Sequence, residues 1–119
     1  MALGLVAAAL LLAQTAPSAA PADGAEAAYE QLAAGENEGA IERLEAALEQ
    51  TPGDPALLIN LGTAYAREGR MDEARDAFRD AIAAQDRYRV QLPDGSWEDS
   101  RKVARLALDS LDRTALAAK

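Results

Sequence analysis

Displaced by 34 residues, the chain matches itself at the positions where two helices would touch. Gly35 falls on Gly69, Ala40 on Ala74, Leu44 on Phe78, Ala47 on Ala81 and Leu48 on Ile82. A period of that length, marked by small and apolar matches, predicts a helix–turn–helix unit stacked on a copy of itself. Units of this kind bury their apolar faces on their neighbours, and the surface that the stack presents carries the function. Fold class is therefore constrained before any single side chain is considered.

The second unit is the clearer one. Asp54 is placed to cap the free N–H groups of a helix whose first turn holds Pro55, where a missing N–H costs nothing. Residues 56–68 then put Leu58, Leu61, Ala64 and Tyr65 on one face, and Gly69 ends the helix. A second helix is expected from about Asp72 to Gln85, with Ala74, Ala77, Phe78, Ala81 and Ile82 at helical spacing. Gly62, Ala74 and Ala81 are small where the two helices would cross.

This segment resembles the tetratricopeptide repeat. The first-helix pattern of that family stands here as Asn60-Leu61-Gly62-Thr63-Ala64-Tyr65, its turn as Gly69-Arg70, and its second-helix pattern as Asp72-Glu73-Ala74, Phe78 and Ala81. Asp86 replaces the proline common at the repeat's end. Residues 21–54 carry the pattern in register, through Ala28, Gly35, Ala40, Leu44, Ala47 and a closing Pro52. Gly24 stands where a bulky residue is usual, so this helix is expected to start near Ala25 and run to Ala34, with Tyr29 and Leu32 as its larger side chains. Its partner spans 37–50. The resemblance implies an all-α fold, an α-solenoid of two repeats at 23–54 and 55–88.

Two repeats leave one apolar face open, and the rest of the chain has to close it. Tyr88-Arg89-Val90-Gln91-Leu92, Pro93-Asp94-Gly95 and Ser96-Trp97-Glu98 read as alternating strand formers around an Asp-Gly turn, a short β-hairpin at 88–98. The competing reading is an extended loop over 89–99, with Ser96 opening a capping box. A capping helix over 100–117 follows on either reading, with Val103, Leu106, Ala107, Leu111 and Ala115 toward the repeats. Trp97 is expected to plug the junction between that helix and the second repeat.

Residues 1–22 carry no charged side chain. An apolar run from Ala2 to Ala13 precedes a small-residue stretch ending Ala20-Pro21-Ala22, which reads as an export signal peptide cleaved before Asp23, or after Ala13. The expected location is periplasmic or secreted. The alternative is a membrane-anchored structural subunit with an uncleaved N-terminal helix. Beyond this segment, charge is uneven. Residues 23–60 hold nine acids against Arg43 alone, whereas 61–119 hold eleven of each sign, giving the net −8. An acidic half of this kind argues against nucleic acid as a partner, which needs several Lys or Arg to displace counterions from phosphates.

No cysteine or histidine is present, which removes thiol nucleophiles, imidazole bases and the usual zinc ligands. No phosphate loop or nucleophile elbow appears either. Asp94, Glu98 and Asp99 lie close around the turn, but without a calcium-loop pattern they are read as turn residues. The chain is therefore expected not to be an enzyme and to need no metal or cofactor. By resemblance, the inner face of each first helix binds another protein or peptide. Its candidate residues here are Tyr29, with Leu32 beside it, and Ile59, Asn60, Thr63 and Arg67. Asn60 would hydrogen-bond a peptide backbone and Arg67 would meet a carboxylate. The acidic outer face of the first repeat is the other candidate interface.

Overall fold

The computed structural model describes residues 12–13, 23–86, 88–92 and 94–117. In chain order it contains β1 (Leu12–Ala13), α1 (Asp23–Ala33), α2 (Asn37–Gln50), α3 (Pro55–Arg67), α4 (Met71–Ala83), β2 (Arg89–Gln91), β3 (Trp97–Asp99) and α5 (Ser100–Ala117). The helices pack in sequence, α1 on α2, α2 on α3, α3 on α4 and α4 on α5. This is the all-α solenoid that the 34-residue period predicts. Of the segment read as an export leader, only Leu12 and Ala13 lie within the described residues.

The two turns repeat atom for atom. Gly35 and Gly69 both take a left-handed backbone, with φ of +81° and +76°. Gly35 N–H donates to the Leu32 carbonyl and Glu36 N–H to Gln31; 34 residues on, Gly69 N–H donates to Ala66 and Arg70 N–H to Tyr65. This paired closure satisfies the last carbonyls of each first helix and reverses the chain. A residue with a Cβ would be strained at either glycine.

Helix α3 is the centre of the molecule. Every residue from Pro55 to Tyr65 is buried, as expected of a helix with no charged side chain before Arg67. Asp54 starts it, its Oδ1 accepting from Ala56 N–H at 2.9 Å and Leu57 N–H at 3.2 Å. Burial raises the Asp54 pKa, against the pull of those two bonds.

On one side α3 packs closely on α4. A Cβ placed on Gly62 would lie 2.5 Å from Phe78 Cε1 and 2.7 Å from Cδ1. The ring is itself fully enclosed. Only hydrogen at position 62 leaves room for it.

On the other side α3 meets α2. Tyr65 is buried there and its hydroxyl donates to Glu45 Oε2 at 3.0 Å. The Arg70 guanidinium lies 4.6 Å from the centre of the Tyr65 ring and pairs through two nitrogens with Glu73. Burial, then the Glu45 carboxylate, pushes the Tyr65 pKa up to about 12. Asn37 Nδ2 adds a bond to Glu68 across the same boundary.

Residues 88–99 form the hairpin. Arg89 pairs with Asp99, Val90 with Glu98 and Gln91 with Trp97, all antiparallel. Its turn is closed by Gly95 N–H on the Leu92 carbonyl, with Gly95 at φ +88° and Ser96 bonded through N–H and Oγ to Asp94 Oδ1. Asp99, not Ser96, caps the following helix, accepting from Arg101 N–H at 2.8 Å. Helix α5 is seated by Arg75 on Asp112 and by Arg101 Nη2 on the Ala84 carbonyl at 2.8 Å. Its buried stripe is Val103, Ala104, Ala107 and Leu111.

Two expectations are corrected here. Trp97 does not plug the junction and is 39% exposed, while Val90 is fully buried. Strand alternation is the reason, because Trp97 stands opposite Gln91 and shares its face, away from Val90. Leu106 does not face the repeats either and is 53% exposed. It falls outside the stripe that 103, 104, 107 and 111 define on the helix. The side chain of Ala115 lies outside the described residues.

Replacing Gly62 by alanine should destabilise the fold by about 1–3 kcal/mol through overpacking against Phe78. The cost should shrink when Phe78→Leu is already in place, because the two changes act on one contact. Thermal melts of the two single variants and the double variant measure that coupling, and an unchanged midpoint for Gly62→Ala would refute the crossing.

Alkaline pH tests the α2–α3 contact. Because the folded Tyr65 pKa is raised, its contribution is complete below the ordinary tyrosine value of 10.0 and is lost as pH climbs toward about 12. Melting midpoints should fall across that window, and Tyr65→Phe should lower stability at neutral pH by about 1–1.5 kcal/mol while flattening the alkaline fall. A variant with the same alkaline slope as the parent would place the cause elsewhere.

Candidate functional site

On the repeat reading, the inner face of the solenoid falls to the first helix of each repeat, α1 and α3. Helical spacing puts Ile59, Thr63 and Arg67 on one line of α3, with Asn60 beside them. Four of the six candidate residues prove to be buried. Ile59 is 0%, Thr63 1%, Asn60 3% and Leu32 1% exposed. Thr63 Oγ1 donates to the Ile59 carbonyl at 3.0 Å, one turn back on its own helix. Asn60 is also engaged rather than free. Tyr29 and Arg67 are half-buried.

Arg67 reaches across to the first repeat. Its Nη1 donates to the Leu32 carbonyl at 2.6 Å, the same carbonyl that Gly35 N–H closes. Burial lowers its pKa, although the group stays charged. The residue expected to meet a ligand carboxylate thus ties the C-terminus of α1 to the end of α3, where a cation also suits the exposed carbonyls.

An extended stretch of the chain itself lies against these two helices. Strand β1 contacts both α1 and α3 and pairs antiparallel with β2, Leu12 opposite Gln91 and Ala13 opposite Val90. Three strands result, in the order β1, β2, β3. The site is therefore composite, with two helices as its floor and the β2 edge as its wall. Residue patterns pointed to the floor. The wall was missed: nothing in two residues at 12–13 announces a pairing with residues almost eighty positions away.

The carboxylates of the turn are each held by protein donors. Asp94 accepts from Ser96, which lowers its pKa; Glu98 pairs with Lys102 at 3.2 Å; and Asp99 caps α5. Among the described residues no group of three or more His, Cys, Asp or Glu is arranged to hold a metal ion, and no helix is long and apolar enough to cross a membrane.

The outer face of α2 is different in kind. Glu38, Glu42, Glu45 and Glu49 are all exposed and recur at helical spacing along one side of it. Only Glu45 of these four takes part in a repeat-to-repeat bond, with Tyr65.

No curated protein and no solved structure matches the chain. A family model for the tetratricopeptide repeat matches residues 25–88, from within α1 to the residue before β2. Repeats of this family mediate protein–protein interaction and are generally not enzymes. With the match covering more than half its length, the chain belongs to the tetratricopeptide repeat family.

Proposed function

We propose that this chain is an exported interaction module that holds an extended segment of a partner protein against the inner face of its two repeats. The observation that carries this reading is β1, an extended stretch lying across α1 and α3, where such a segment would sit. Export rests on the leader-like residues 1–22, which are uncharged and end in small residues. Periplasmic scaffolding of an envelope protein is the role that fits both features. Tyr29 is the anchor of this surface, since it is half-buried and aromatic, the kind of residue on which binding energy concentrates.

Tyr29→Ala in the exported protein should lower capture of partners from envelope extracts by at least about tenfold, equivalent to about 1.4 kcal/mol, with the melting midpoint nearly unchanged. A control variant, Glu42→Lys with Glu49→Lys, alters the exposed face of α2 and should leave capture intact. The reverse pattern would move the interface to that acidic face and imply a basic partner. The N-terminal mass of the exported protein separates a processed chain from one anchored through 1–22.

A further inference from the structure

The hairpin has an edge whose backbone groups can be assigned one by one. Tyr88 and Ser100 exchange bonds, the Tyr88 N–H donating to Ser100 Oγ and the Tyr88 carbonyl accepting from Ser100 N–H, while Leu92 N–H donates to the Ser96 carbonyl. Tyr88 and Leu92 therefore direct their backbone groups toward β3, and alternation gives Val90 the same direction. Arg89 and Gln91 direct theirs the other way, toward β1, and Gln91 is the residue opposite Leu12. Without β1, the N–H and C=O groups of Arg89 and Gln91 form an open edge beside a buried apolar floor. Unpaired strand edges of this type recruit another strand.

We infer that the outer edge of β2 is a strand-acceptor site, occupied in cis by residues 12–13 and, in the processed chain, by an extended apolar segment of a partner protein. The inference rests on the inner-face reading and names the partner's chemistry and its mode of attachment. Cleavage before Asp23, or after Ala13, frees the edge by severing the occupant from the repeats. Until then the tethered segment holds the site at an effective concentration in the millimolar range, which a free competitor does not match. The occupant shows what the site takes: Leu12 and Ala13 end an apolar, uncharged run. Within an incoming strand, alternate residues would lie on the face of Val90, which is fully buried, and the others on the face of Gln91 and Trp97. This gives the exposed Trp97 a task, covering the outward residue of the bound strand. The chain's one tryptophan thereby reports occupancy.

The test uses the full chain with a protease site introduced between residues 15 and 20, folded intact and then cut, so that exchange at the edge becomes bimolecular. A synthetic peptide of residues 8–17 is added, together with the same peptide N-methylated at Leu12. The cut protein should take up the plain peptide, shifting Trp97 emission, and should bind it about tenfold more tightly than the methylated form, which lacks the donor for Gln91. The uncut protein should take up neither. Equal binding of both peptides would overturn strand pairing while leaving the inner-face reading in place, as would partner capture by the exported protein that the plain peptide does not compete. No uptake after cutting would overturn the inference outright. A second measurement does not depend on cutting: in full-length Leu12→Pro, amide exchange at Gln91 should speed up by about tenfold or more while Val90 stays slow. Unchanged exchange at Gln91 would refute the pairing.

Discussion

The structure turns on one absent side chain. Gly62 lets α3 and α4 approach until the Phe78 ring fills the space a Cβ would take, and that approach fixes the crossing of the second repeat. Because α3 also packs against α2 and α5, an error at this contact passes to every other interface. The first repeat has Ala28 and Leu44 at the equivalent positions, both fully buried.

Much of the fold was legible because its signals are local and occur twice. A 34-residue displacement aligns Gly35 with Gly69 and Ala40 with Ala74, and the turn hydrogen bonds recur at the same displacement. Asp54 and Pro55 announce a helix start without reference to anything distant. The site was less legible because its closure is not local. Ile59, Asn60 and Thr63 lie on the inner line of α3, as a repeat alone would place them, yet they are buried. Burial there depends on what the flanking segments do, and no periodicity encodes it. Trp97 shows the same limit: its size suggested a plug, but the pairing register decides which face a strand residue takes.

Charge divides the molecule in the same way as packing. Helix α3 carries no charge until Arg67, whereas α2 exposes four glutamates along one side. The contacts that cross from helix to helix include single polar groups at the margins of apolar faces: Tyr65 on Glu45, Arg67 on the Leu32 carbonyl, Arg101 on the Ala84 carbonyl. Each bond is directional, and each therefore fixes how far one helix can slide along the next, which apolar burial alone leaves loose.

The repeat symmetry breaks at one position in an instructive way. Ile41 and Arg75 are equivalent residues, 34 apart; the first is buried in the core, whereas the second pairs with Asp112 of α5. An isoleucine at the last interface would accept any apolar surface, including another copy of the molecule docking end to end. An arginine favours a surface that brings an acid to the right place, as α5 does with Asp112. The same ion pair that seats the final helix thus sets its register against the second repeat.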